Sequence, residues 1–590
     1  KWEWRAGHWE RERSGKRWRE AKWENRGGQW VLVDGDWMDA PAAPIAAPHT
    51  LTIIGTNDLH GALDRLPLLG GYMANLRVAR AADGGGVVLV DGGDLFQGTL
   101  ESNLAEGTDV VKAYNQLGYA ATAIGNHEFD YGPVGPAVIA KDDQDPRGAL
   151  KARVAEATFP FLVTNILDER TGTRIDWPNM PASRMLEVAG VEVGILGAST
   201  ESTPYTTMPA NFVGLKMATP TAQAITAEAQ ALRARGAQVV VLALHIGSAC
   251  KDNDQPADIT SCDQHEELFD VLRDVPKGLV DVVVAGHTHA AIAHVIDGMA
   301  VIESYSSGRA FGRVDLTVAD GRVRAVAIHK PEVMCTLDKD GNPQAVHDCH
   351  PPDYEGHPVV PDPTIQKIVD DAMARTADQR NALLGVKLAA TVTKAYKTES
   401  IEGDWFTDLM LAARPEASVA LTNGGGLRAD FPPGEITYGK LFEAMPFDNR
   451  FALVELDGKQ LRRLVKTNLE RDGAFFSFGG LTAVARCIAG KLDIAIKVGH
   501  KPLAETGHYT LVTTDFLASG GDGVIGKLKL PAGAIKVTDV IMREAIADVL
   551  RKQRGKTLDP TKLFDATHKR IDYEGKRPVV CAGSKPEDGE

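Results

Sequence analysis

Five apolar runs along this chain each stop at a cluster of Asp, Asn or His. Thr52-Ile53-Ile54 runs into Asn57-Asp58-Leu59-His60, and Val87-Val88-Leu89-Val90 into Asp91-Gly92-Gly93-Asp94. The run from Tyr119 to Ile124 leads to Gly125-Asn126-His127-Glu128, with Asp130 close behind. Val239 to Leu244 leads to His245, and Asp281-Val282-Val283-Val284 to Gly286-His287-Thr288-His289. Short apolar runs bounded by turn residues read as buried strands. In an open α/β sheet the strand ends gather along one edge, where ligands bind. The five polar clusters are therefore expected to meet in space.

Strand, polar loop and helix alternate over residues 50–358, the pattern of a layered α/β domain. Residues 359–387 read as a charged helix and hinge, and residues 388–590 as a second α/β domain. In front lies a repeat over residues 1–39. Trp9, Trp23 and Trp37 are spaced 14 apart, as are Trp4, Trp18 and Leu32, and seven of the nine tryptophans fall here. Large apolar and charged residues alternate and then turn at Gly7, Ala21 or Gly35, which predicts short strands. The repeat resembles the Trp-rich WxxGxW repeats of bacterial envelope proteins. It fits either a small β-ribbon packed on itself or a set of exposed indoles contacting wall, glycan or partner. Residues 40–49, with three prolines among alanines, form a stiff tether.

A chain of 590 residues exceeds one core. Its formal charge of −14 argues against nucleic acid as partner, and an anionic substrate needs local positive charge from bound cations or a placed Arg. No apolar run approaches the roughly 20 residues of a membrane span. The chain has no starting Met and no signal-like segment, so it reads as a mature or trimmed form. The six cysteines fall as Cys250 with Cys262, Cys335 with Cys349, and Cys487 with Cys581. Such pairs suit disulfides in an oxidising, periplasmic or secreted setting. Six free thiols, or a zinc knot of Cys335, Cys349 and His350, are the alternatives.

Asp58, His60, Asp94, Asn126, His245, His287 and His289 make a mixed oxygen and nitrogen donor set. That mixture suits Zn, Mn or Fe better than Ca or Mg. Seven candidates are too many for one four-coordinate ion and fit two divalent ions sharing a carboxylate. Asp94 is the natural bridge.

The series Asp58-x-His60, Gly93-Asp94, Gly125-Asn126-His127-Glu128, His245 and Gly286-His287-x-His289 resembles that of the calcineurin-like metallophosphoesterases. The resemblance implies a four-layered α/β/β/α sandwich. It also implies two ions, one held by Asp58, His60, Asp94 and His289, the other by Asp94, Asn126, His245 and His287. The 5′-nucleotidase branch often has Gln at the His289 position. By the same resemblance His127, oriented by Asp130, is catalytic: it stabilises the transition state or protonates the leaving oxygen. A carboxylate three residues on can fix the imidazole tautomer. Asp130 capping backbone amides is the plainer reading.

In the second domain Thr422-Asn423-Gly424-Gly425-Gly426-Leu427-Arg428 follows a strand, so backbone amides and a guanidinium fork can approach an anion. This stretch, residues 433–449 and Thr514–Gly523 resemble the C-terminal domain of 5′-nucleotidases. The resemblance makes Phe447 and Phe516 the pair of rings that sandwich a nucleobase. Asn423, Gly425, Arg428 and Asn449 become substrate-binding positions, and Asp522 a ribose-hydroxyl acceptor. Where many members carry an Arg on phosphate, this chain has Lys397-Thr398, a point charge without the fork. The implied activity is phosphate release from nucleoside 5′-monophosphates by a hydroxide formed at the metals. Family members move the two domains about a hinge. Hydrolysis of UDP-sugars, 2′,3′-cyclic nucleotides or a protein-bound thiosulfonate are the alternatives of the same architecture.

Overall fold

The computed structural model describes residues 2–5, 8–11, 16–39, 48–137, 139–141, 143–319, 322–335, 348–563 and 569–581. Two six-stranded sheets build the first body. One is ordered Phe161–Leu162, Ala121–Ala123, Gly86–Asp91, His49–Thr56, Ala310–Ala319 and Arg322–Val333. Its first four strands are parallel and its last two antiparallel. The other is ordered Ser183–Val188, Val191–Ser199, Val239–His245, Val282–Ala285, Met299–Ser304 and Ala291–Ile296. It has a parallel centre and antiparallel edges.

The period-2 geometry of a strand explains the layering. Leu51, Ile53, Val88 and Val90 face inward against Val193, Ile195, Val241 and Val284 of the other sheet. Ile54 and Leu89 face outward onto Tyr72, Val110 and Tyr114 of helices Leu66–Ala82 and Thr108–Leu117. On the far side Leu242 and Leu244 meet Ile225, Leu232 and Leu272 of helices Thr221–Ala234 and Glu267–Asp274. The result is the expected α/β/β/α sandwich.

The five apolar runs do not share one sheet edge. Residues 52–54, 87–90 and 121–123 lie in the first sheet, and 239–244 and 282–284 in the second. Strands buried on both faces read alike in sequence, so their periodicity carries no sheet membership. Their carboxyl ends meet all the same, because the two sheets stack rim to rim.

The stretch 359–387 divides. Helix Pro363–Asn381 starts on an Asp362 N-cap and packs Ile365, Val369 and Ala372 into the core of the first body. Strand Leu383–Leu388 follows and pairs within the second body. Arg375 and Arg380 form ion pairs with Asp109 and Glu101.

The second body centres on a five-stranded sheet ordered Phe476–Gly479, Val419–Asn423, His508–Thr514, Arg450–Asp457 and Ile535–Ile541. Helices Ile401–Ala413, Tyr438–Ala444 and Met542–Arg551 share a core on one side, and Gly458–Glu470 covers the other.

The Trp-rich repeat is made of strands, as expected. Trp2–Arg5 pairs with His8–Arg11, Lys22–Arg26 with Gln29–Val33, and Lys16–Arg19 with Asp36–Asp39. Trp18 and Trp37 meet edge to face with centroids 5.5 Å apart, while Trp23 is 62% exposed. The expected turn at Gly7 and residues 40–47 of the tether lie outside the described residues. Cys250–Cys262, Cys335–Cys349 and Cys487–Cys581 are all disulfides, which removes the free-thiol and zinc-knot readings. No helix among the described residues is long and apolar enough to cross a membrane.

Asp315 ties three strands of the first sheet. It accepts from Thr52 Oγ1 at 2.6 Å, Arg313 Nε at 3.0 Å and His329 Nε2 at 2.9 Å. Burial would raise its pKa, but these donors outweigh burial and hold it below the ordinary carboxylate range. A depressed native pKa stabilises the fold fully above the unfolded value and less as pH falls through the native one. Asp315→Asn is expected to cost about 1–3 kcal/mol at neutral pH. The gap in urea midpoint between variant and parent should narrow between pH 7 and pH 3.

Candidate active site

At the rim where the sheets meet, the chain turns through an uncommon conformation. Asp58 (φ +50°), His60 (+51°), Asp94 (+62°), His287 (+81°) and His289 (+58°) all sit in the left-handed region. Each such residue costs of order 1–3 kcal/mol and persists only where its surroundings over-determine it. Five of the seven candidate ligands therefore sit in backbone held for a purpose.

All seven are brought together. Asp58, His60 and His289 form one group and Asp94, His245 and His287 another, with the ligand atoms of each within 4.8 Å of one another. His60 Nε2 is 2.9 Å from His289 Nε2, and His289 Nε2 is 3.5 Å from Asp58 Oδ1. In the second group Asp94 Oδ2 and Asn126 Oδ1 lie 3.1 and 3.0 Å from His245 Nε2, and His287 Nδ1 lies 3.2 Å from it. Asp94 Oδ2 is also 3.9 Å from His60 Nε2, which puts this carboxylate between the groups. The far nitrogens are anchored: His60 Nδ1 meets Gln97 O and His245 Nδ1 meets Gly92 O, each at 2.8 Å. That fixes the tautomer with Nε2 turned inward.

The electrostatics fit a cation. Burial first, then Arg428 or a neighbouring imidazole, holds His60, His287 and His289 well below the usual histidine pKa, His287 at about 3. These rings are neutral and offer a lone pair. Burial, with a further push from Asp94, raises Asp58 to about 7. Asp58 and Asp94 are 0% and 1% exposed. His245 is the exception: burial would lower it, but the Asp94 carboxylate 3.1 Å away outweighs burial and pushes it up to about 10. Two carboxylates buried among imidazoles and an amide oxygen form a donor set suited to divalent ions.

His127 donates from Nδ1 to Asp130 Oδ2 at 2.6 Å, and Thr207 Oγ1 donates to Asp130 Oδ1 at 2.9 Å. Asp130 therefore orients the ring and is itself pinned. Asp130 Oδ1 also accepts from the Met208 amide at 3.3 Å, a tie between loops rather than a helix cap. Burial would lower the His127 pKa, but Asp130 and Asp94 outweigh it and hold it above the usual value. Glu128, quoted in the motif without a role, holds the floor of the site. Its carboxylate accepts from the amides of Asp94 (2.9 Å), Leu95 (2.6 Å) and Gly125 (2.7 Å). Gly125 is obligatory, since a Cβ there would come 2.1 Å from Asp94 Oδ1.

A cavity of about 1070 Å³ opens over this rim, and its opposite wall is the second body. Asn423, Gly425, Arg428, Phe447, Asn449, Phe516 and Asp522 all line it, with Asp94, Asn126, His127, His287 and His289 across from them. Arg428 Nη2 reaches to 3.1 Å from His60 Nε2, and its guanidinium lies 5.8 Å from the Phe447 ring centre. Phe447 is in turn 5.5 Å from His127, and Asn423 Nδ2 donates to Asp522 Oδ2 at 2.8 Å. Phe516 packs on Gly521, where a Cβ would fall 2.5 Å from the ring. Lys397 lines the same cavity, with its ammonium 3.4 Å from Asp472.

Two further residues escape sequence reasoning. Arg543 is 4% exposed and donates to the carbonyls of Met445 (3.1 Å) and Phe447 (3.2 Å), gripping the loop that carries Phe447. Asn103, from the first body, donates to Pro446 O at 2.9 Å and so ties that loop across the cavity. A basic residue on a charged helix and an Asn in a short one give no sequence signal.

Residues 51–291 match the family model described as calcineurin-like phosphoesterase, and residues 372–529 the one described as 5′-nucleotidase, C-terminal domain. Protein UshA of Yersinia enterocolitica is 25% identical over 518 residues, 80% of this chain and 86% of its own. The 5′-nucleotidase of Vibrio cholerae is 25% identical over 526 residues, 82% of this chain and 88% of its own. Among solved structures, a 5′-nucleotidase precursor from Thermus thermophilus aligns with a TM-score of 0.68 and 22% identity, over 89% of this chain and 99% of that one. Sulfate thiohydrolase SoxB from the same organism aligns at 0.66 and 17% identity, over 92% and 99%. At these identities the structures speak to the fold alone.

Glu128→Ala leaves three buried backbone amides without an acceptor, each worth about 1–3 kcal/mol. A thermal-unfolding scan should show a markedly lower Tm than the parent, whereas an unchanged Tm would mean that water replaces the carboxylate.

Proposed function

The chain belongs to the 5′-nucleotidase family, a calcineurin-like phosphoesterase domain followed by a 5′-nucleotidase C-terminal domain, and from that premise we propose that this hydrolase releases phosphate from nucleoside 5′-monophosphates. One observation carries the reading. Members of both candidate ligand groups, His289 of one and Asp94 and His287 of the other, and the seven candidate substrate residues face a single cavity, with Arg428 reaching across it to His60.

Asp58, His60, Asp94 and His289 would hold one divalent cation, and Asp94, Asn126, His245 and His287 the other. Zn and Mn suit this donor set. When bound, such a pair polarises phosphoryl oxygens and lowers the pKa of a water. The chain's own residues do the rest. Arg428 offers its fork to the phosphoryl oxygens as it passes toward His60. Phe447 and Phe516 stack on the base, a contact any nucleobase satisfies. Asn423 and Asp522, already bonded to each other, meet the ribose hydroxyls. Gly425 and Asn449 complete the wall beside the ester. His127, its Nδ1–H held by Asp130, turns Nε2 to the cavity and keeps a proton there for the departing nucleoside oxygen. The hinge between the halves falls near Ala382, where helix Pro363–Asn381, packed in the first body, meets strand Leu383–Leu388 of the second. Three disulfides favour a periplasmic or secreted setting.

Phosphate release from AMP should require a divalent ion, stop on chelation and return with Mn²⁺. UDP-glucose and 2′,3′-cyclic AMP, run alongside, should be poorer substrates, and activity untouched by chelator contradicts the reading. His127→Ala should lower kcat by about 10²–10⁴-fold while metal content stays at the parent level. Phe447→Ala and Phe516→Ala should each raise KM for AMP by about 5–150-fold, from roughly 1–3 kcal/mol of stacking. Their KM for p-nitrophenyl phosphate, which carries no nucleobase, should move far less.

A further inference from the structure

Glu303 lies near the end of strand Met299–Ser304, is 1% exposed, and has no part in the roles above. Its carboxylate fills the junction between the two loops that bring His245, His287 and His289 to the rim. Oε1 accepts from Thr288 Oγ1 at 2.6 Å and, at 3.4 Å, from the Ala290 amide. Oε2 accepts from the Ser248 amide at 3.3 Å. Thr288 stands between His287 and His289, and Ser248 lies three residues past His245. Thr288 Oγ1 also lies 2.9 Å from Ser248 O, so the hydroxyl joins the same two loops.

Gly247 makes the slot. A Cβ at that position would come 2.4 Å from Glu303 Oε2 and 2.6 Å from Thr288 Oγ1, so only the carboxylate occupies the space. Two backbone N–H groups donate to Glu303, and the Thr288 hydroxyl, whose single proton can serve only one of Glu303 Oε1 and Ser248 O at a time, sits against both; a carboxyl group supplies an acceptor at each oxygen. A Gln side chain would aim an NH₂ at one of those donors. His287 and His289 both lie at positive φ, so local preference does not hold their backbone and a tie from outside must.

We propose that Glu303 is a positioning residue for the cation pair, fixing the His245 loop against the His287–His289 loop and so setting the distance between the two ligand groups. The proposal rests on the two-cation reading. His245 and His287 belong to one group and His289 to the other. Loosening this one junction therefore weakens both sites together, whereas loss of a single terminal ligand acts mainly on its own. Changes to residues that orient ligands typically cost about 10–100-fold in metal affinity or activity.

The test uses the full chain, stripped with chelator and titrated with Mn²⁺ by calorimetry, with the electron paramagnetic resonance of the bound ions as a second readout. The parent should bind two ions and show a coupled-pair signal. Glu303→Ala should weaken both sites at least tenfold and disturb that signal, and Glu303→Gln should restore part of the affinity. Thr288→Val, which changes no charge, should move both sites in the same direction as Glu303→Ala. If Glu303→Ala does not fold, as judged by circular dichroism of the metal-free protein, Glu303→Gln and Thr288→Val decide the outcome. Two ions bound with parent affinity in the folded variants overturn the role of Glu303. A parent that takes up fewer than two ions overturns the two-cation reading itself, and this proposal with it.

Discussion

Two carboxylates buried side by side at the junction of two sheets govern this structure. Asp58 and Asp94 have almost no contact with solvent, and the groups around them are mostly imidazoles: burial keeps His60, His287 and His289 neutral, while the carboxylates raise the pKa of His245 and His127. An uncompensated buried carboxylate is among the most costly features a fold can carry. The neighbourhood is built to accept a compensating charge rather than to avoid one. Asn57 Nδ2 and the His287 amide donate to Asp58, the His127 amide donates to Asp94, and Glu128 fixes the Asp94 loop from below. The left-handed backbone at five of the ligand positions belongs to the same economy. Strain and buried charge accumulate together where divalent cations would repay both.

The second body answers the charge problem from the other side. Arg428 reaches the imidazoles with its guanidinium, and it arrives on the glycine turn that ends strand Val419–Asn423. Its neighbour in space, Phe447, sits on a loop held within the second body by Arg543 and across the gap by Asn103. Helix Pro363–Asn381 packs with the first body and leads directly into strand Leu383–Leu388 of the second. Any relative motion of the halves must therefore be taken up near Ala382, and it would carry Arg428 and Phe447 toward or away from the ligand groups as a unit.

Much of this was legible in the sequence, for a physical reason. A buried strand that ends in Asp or His is conspicuous, because the apolar run and the polar stop are chemically opposite, and all seven candidate ligands fell at such stops. The layer each strand occupies was not legible, since strands buried on both faces look the same in either sheet. Glu303 carried the same signature, an apolar run of Ala300-Val301-Ile302 ending in a carboxylate. It lies outside the metal-type motifs, and only its contacts to Thr288 and Ser248 give it meaning. Arg543 had no signal, because a cation on an amphipathic helix reads as solvated until its carbonyl partners are seen. In the Trp-rich repeat the alternation of large apolar and charged residues predicted strands, but the 14-residue period did not predict that Trp18 would meet Trp37 rather than a residue one period away.

The central claim is that Asp94 stands between two cation sites. Anomalous scattering from a crystal of the full chain grown with Mn²⁺ tests it most directly. The account predicts two anomalous peaks, one beside Asp58, His60 and His289 and one beside Asn126, His245 and His287, with Asp94 reaching both. A single peak, or peaks away from Asp94, would contradict it.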